Sequence, residues 1–182
     1  MTGAWRELPG PHRRWIVTRA LVVTAAINAI VNAAIAWLGV QGQEMVPLWG
    51  VPLVETSTFW NAIGTLFLLP LITCVLTTTA VRRDVRLGSL ASLSRLRSSH
   101  RWLAALPPAR LRRGLAFGAL TVAALAPPLT LALVASGFPE LSREQFVVWQ
   151  TAFAVVLGAL VTPLIALCAM ADPSDGLPAD PS

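Results

Sequence analysis

Charge is scarce in this chain. Only 13% of its 182 residues are charged, and lysine is absent, so all fourteen basic residues are arginine. A soluble domain carries about 25% charged residues. The deficit, together with 55% hydrophobic residues and a mean hydropathy of +0.65, makes lipid the solvent for much of the chain. Exclusive use of arginine points to a GC-rich bacterial genome. Cysteine is nearly absent: Cys74 and Cys168 form no CxxC and no zinc-ligand spacing. HExxH, GxSxG, P-loop and DxD-like clusters are missing too, so the sequence predicts no catalytic residue, cofactor or metal, and no enzyme. Glu44 and Glu55 share one loop but have no positioned partner. Asp, Glu, Lys and His are missing from the depths of the apolar runs, which argues against proton- or ion-coupled transport. The net charge of +5 does not imply nucleic acid, because the arginines flank apolar runs and no recognition motif accompanies them.

What is present is four apolar stretches, at about residues 15–40, 58–81, 114–136 and 145–171. Each has the roughly 20 residues a membrane crossing needs. Arg19 is the only charged residue within them, one turn from an end, where it can snorkel to headgroups. The expected fold is all-α and polytopic: four transmembrane helices, up-down-up-down, in one domain over residues 1–170. Residues 171–182 are expected to form a disordered cytoplasmic tail. The first stretch opens on a basic segment but exceeds the 7–15 residues of a signal-peptide core, so it reads as a retained helix. Thirteen of the fourteen arginines lie before or in the opening of the first span or between the second and third; Arg143 is the exception. Basic residues stay on the cytoplasmic side, so both termini and the basic loop 82–113 are predicted to be cytoplasmic, in a bacterial inner membrane. Trp37, Trp49, Trp60 and Trp149 fall near the outer boundary, and Trp15 and Trp102 near the inner one.

The two halves of the chain resemble each other. Arg19-Ala-Leu opens the first span and Arg113-Gly-Leu the third; Pro70-Leu-Ile and Pro163-Leu-Ile sit in the second and fourth. Arg19 to Cys74 spans the same sequence distance as Arg113 to Cys168. This predicts a tandem hairpin pseudo-repeat about an axis along the membrane normal. The second half, with Gly137-Phe138, Phe146, Trp149 and VTPLIAL at 161–167, resembles small uncharacterised bacterial inner-membrane proteins built from two-helix hairpin units. The whole chain looks like a tandem version. The resemblance implies no activity and no site residues.

Candidate functional residues are polar side chains inside the spans. Thr24, Asn28 and Asn32 recur every fourth residue and share a helix face. Asn61 and Thr65, with Thr73 and Thr77, line the second span. Gln150 and Thr162, with Ala154 and Gly158 between, line the fourth. Such lines serve as interhelical glue or as a pore. Pro70, Pro127, Pro128 and Pro163 are candidate kinks, and the adjacent Pro127-Pro128 predicts a marked bend or break. The cysteines read as packing residues. In the basic loop, leucines from Leu87 to Leu106 alternate with Arg86, Arg95, Arg97 and Arg101. A surface helix there would contact anionic inner-leaflet lipids. The apolar outer loop 41–57, interrupted by Pro47 and Pro52, is expected to cap the bundle or dip onto the bilayer. Besides the lipid bilayer, a membrane-protein partner or a homo-oligomer is expected, and nucleic acid is not. Two functions remain: an accessory, regulatory or envelope-organising module, or a small uncoupled channel or exporter with a polar bundle centre.

Overall fold

The computed structural model describes residues 8–52, 54–93, 103 and 105–172. Arg95, Arg97, Arg101, Trp102 and the tail 173–182 lie outside the described residues. The chain forms four long helices: α1 (Gly10–Gly39), α2 (Thr58–Arg86), α3 (Arg110–Ser136) and α4 (Arg143–Met170). All four are long and apolar enough to cross a membrane. Aliphatic side chains stand exposed along them, such as Ile30, Leu76, Leu131 and Val148. In water a surface of this kind would drive association; in lipid it is the solvated face.

Local chemistry sets the helix ends. Ser142 Oγ accepts from the Gln145 amide, and Gln145 Oε1 accepts from the Ser142 amide at 2.9 Å. This reciprocal cap starts α4. Gly137, with φ +69°, stops α3, and Gly88, with φ +72°, stops the turn after α2. Inside α1, residues Ile16–Val23 adopt the wider π-helical form. Thr24 Oγ1 there donates to the carbonyl of Arg19, five residues back.

Helix neighbours are not sequence neighbours. α4 packs against both α1 and α2, and α2 also packs against α3. The order across the molecule is therefore α1–α4–α2–α3. Within the most apolar eighteen-residue stretch of each helix, 61% is buried in α4 but only 6% in α1, so α4 is the central post and α1 an outrigger. Glycines allow the close approaches: a Cβ at Gly118 would lie 2.8 Å from the Phe67 carbonyl oxygen, and one at Gly114 3.0 Å from that of Leu71. Beyond the helix ends where α1 leads into α2 and α3 into α4, β1 (Met45–Pro47) pairs antiparallel with β2 (Glu140–Ser142), with Val46 opposite Leu141. The loop 41–57 thus caps the bundle, with Val46 and Leu48 buried. Its alternation was too short to announce a strand.

Several expectations change. α3 runs without interruption through Pro127-Pro128, so the helix is not broken there. The carbonyls those prolines leave free belong to Ala123 and Ala124 on an exposed face, where no packed neighbour forces the turn open. Pro70 and Pro163 lie within continuous helices, where the sequence placed them. The described start of the basic loop is not a surface helix. After Gly88 the chain turns inward, and the Leu93 amide donates to the Met170 carbonyl. Leu90 and Leu103 are buried, with Leu93 and Leu106 packed beside them. Those leucines serve the protein core, while Leu87 stays exposed.

Candidate functional site

Three polar lines meet on one side of the molecule. α1 and α2 both lean on α4 but leave a gap between themselves, and a cavity of about 360 Å³ occupies it. Asn28 and Asn32 come from α1, Asn61, Thr65 and Thr73 from α2, and Gln150 from the α4 wall behind. The sequence singled out all six. Thr24 lies one turn below the cleft and bonds its own helix. Thr162 is buried three turns below Gln150, its hydroxyl donating to the Gly158 carbonyl at 2.6 Å. Neither lines the cavity.

The hydrogen bonds fix the orientation of the back wall. Thr65 Oγ1 donates to the Asn61 carbonyl at 2.9 Å, so its proton is committed. It can then only accept, and it does so from Gln150 Nε2 at 2.6 Å. Gln150 Oε1 is left without a partner, although the residue is only 2% exposed. Asn32 Nδ2 donates to the Asn28 carbonyl at 2.9 Å. The Asn28 amide nitrogen lies against Gly158, where any Cβ would collide with it, and has no partner. A buried amide group without a partner costs about 1–3 kcal/mol; the unmet acceptor is on Gln150 at the back wall of the cleft, while the unmet donor of Asn28 is turned against α4.

Shape and polarity divide the cleft. Its back holds amides and hydroxyls; its mouth is framed by Val31 and Ile35 on one side and Leu68 and Ile72 on the other, all four about half exposed. Such a mouth faces hydrocarbon. Asn61 and Gln150 lie one and two turns from the starts of α2 and α4, and Asn28 about 16 Å from the end of α1 at 1.5 Å per residue. Below, Leu69, Leu157, Val161 and Ile165 are buried and close the way toward the other end. No family model, curated protein or solved structure matches the chain. The site therefore rests on its own chemistry, and that chemistry is uncharged hydrogen bonding.

A second polar cluster lies at the opposite end of the helices. Arg113 is fully buried and donates to the Pro107 carbonyl and to Asp172. Asp172 also binds Arg82 at 3.0 Å. Together they tie α2, α3 and the end of α4. Arg19, whose side chain is largely exposed, reaches Asp84 on α2 at 3.0 Å, where Trp15 Nε1 also donates. Sequence reasoning read the arginines as topology markers and lipid contacts, and left Asp172 in the tail. The available signal was that Asp172, the first of three tail carboxylates, follows the last apolar run immediately. Cys74 and Cys168 are buried and unbridged, and Glu44 and Glu55 stand exposed in the segment between α1 and α2. Among the described residues, His, Cys, Asp and Glu form no group able to hold a metal.

Proposed function

We propose that the chain is a non-enzymatic integral membrane module of a bacterial cytoplasmic membrane, acting as an accessory, regulatory or envelope-organising protein. One observation carries this reading: the polar cleft ends on packed aliphatic side chains and opens sideways between α1 and α2. It is a recess for binding rather than a passage. α1, held along one side only, offers its aliphatic outer face to a membrane-protein partner or a second copy.

Both termini and the basic loop are assigned to the cytoplasm on the arginine distribution, and the exposed Arg83, Arg86 and Arg112 are placed against anionic inner-leaflet lipids. The tandem hairpin repeat gains support from the packing. Exchanging the hairpins maps the α1–α4 contact onto α3–α2 and leaves α2–α4 unchanged. The likeness to two-helix inner-membrane units fits that symmetry. Because both native cysteines are buried, single cysteines at Glu44 and Arg86 can test orientation with an impermeant thiol reagent on intact cells. Labelling at Glu44 and protection at Arg86 are expected; the reverse would invert the topology.

The direct test of function is crosslinking in cells, followed by gentle extraction through a C-terminal tag and mass spectrometry. A stoichiometric protein partner is expected; recovery of this chain alone would remove the accessory role. The convergence of six polar side chains favours a second reading, a small uncoupled channel or exporter with a polar centre. It requires flux through liposomes that Asn28→Leu abolishes, and unchanged flux in that variant would eliminate it.

A further inference from the structure

We propose that the cleft between α1 and α2 binds a lipid with an uncharged, hydroxyl-bearing head, of the diacylglycerol or long-chain alcohol type. The inference rests on the cleft being a binding recess and not on which protein partner the module serves. Three observations select this ligand. No charged side chain lines the cavity, so a phosphate head would be desolvated there without a counter-charge. The unmet group on the back wall is an acceptor, Gln150 Oε1, on a residue only 2% exposed. A hydroxyl is the smallest uncharged head able to donate to it. The flanks Val31, Ile35, Leu68 and Ile72 are aliphatic and half exposed, which suits an acyl chain leaving sideways into the bilayer.

The fit is also one of size and depth. A cavity of about 360 Å³ lies within the range of about 300–1,000 Å³ typical of small-ligand sites. Its polar groups begin one turn inside the outer ends of the helices, where a neutral lipid head can sink below the headgroup layer more readily than a charged one. Asn32 and Asn61 flank the opening and are half-buried, so they can meet a head as it enters. Gln150, held by Thr65, receives it at the back after a small shift of the wall.

The test places the full-length protein in phosphatidylcholine nanodiscs with a diacylglycerol probe that carries a photoreactive group midway along one chain. Labelled peptides are mapped by mass spectrometry. Saturable labelling is expected around residues 31–35 and 68–72, with displacement by unlabelled diacylglycerol. Asn32→Ala and Asn61→Ala sit at half-buried positions that tolerate truncation, and each is expected to lower saturable labelling by about 3- to 15-fold. Leu131→Ala, on the exposed face of α3, leaves it unchanged. Labelling that is non-saturable and spread over all exposed faces overturns the proposal. So does equal labelling by a phosphocholine-headed probe, and so does equal competition by free glycerol, which would assign the cleft to a water-borne polyol. Crosslinks from a second copy filling the cleft overturn it as well. Partner capture can fail while this labelling succeeds, and the reverse, so the two readings are judged separately.

Discussion

At the scale of single residues, backbone contact decides more than hydrophobicity. Gly118 faces the Phe67 carbonyl of α2, and the first atom of any side chain would intrude on main chain that cannot swing away. Gly118→Val is therefore expected to force α2 and α3 apart and destabilise the protein by about 1–3 kcal/mol, read as a lower midpoint in a denaturant titration in mixed micelles. Gly64 has open space where its Cβ would stand, and Gly64→Ala should leave that midpoint unlowered. Arg113 argues the same way from charge. Its guanidinium is buried against Asp172, which also holds Arg82, so Arg113→Ala removes the buried member of a three-residue charge cluster and is expected to cost about 1–3 kcal/mol. Arg113→Met combined with Asp172→Leu removes both charges and should recover most of that loss in the same titration, because Arg82 is partly exposed and can turn to water.

At the scale of helices, burial is uneven. α4 is packed on several sides, while α1 touches it along one face and carries a π-helical stretch from Ile16 to Val23. Local opening follows contact density. In detergent micelles, amide hydrogen exchange should be about tenfold faster or more in residues 24–39 than in residues 154–166; equal rates would mean that α1 is as firmly held as α4. The helices themselves were legible because apolar length is a local property of the chain. The cleft residues were legible because amides four apart in an apolar helix must share a face. Thr24 and Thr162 continue the polar lines beyond the cleft: each hydroxyl bonds a carbonyl of its own helix, as Thr162 does on Gly158, and sequence spacing alone does not show where along a line the cavity ends. The order of packing was not legible at all. Lipid and a neighbouring helix are equally apolar, so hydropathy does not distinguish a buried face from a solvated one.

At the scale of the whole molecule, the order α1–α4–α2–α3 means that neither hairpin is a packed unit by itself. α1 and α2 meet chiefly at one end, through Asp84 with Arg19 and Trp15, and each finds its main apolar partner in the other half of the chain. β1 and β2 repeat the arrangement beyond the opposite helix ends, one strand from each hairpin. Interdigitation of this kind makes the halves mutually dependent. Residues 1–93 and 94–182 expressed separately should each fail to resist protease, because removing the partner exposes the α4 face that buries Ala154, Gly158 and Ile165. Co-expressed, they should reassemble, since the break falls outside all four helices and the contacts that span it are those of the intact protein. Co-purification of a tagged first half with an untagged second half, together with protease resistance matching the full chain, is the expected outcome. Protease-resistant halves that ignore each other would mean that each hairpin folds on its own and that the packing between them is incidental to stability.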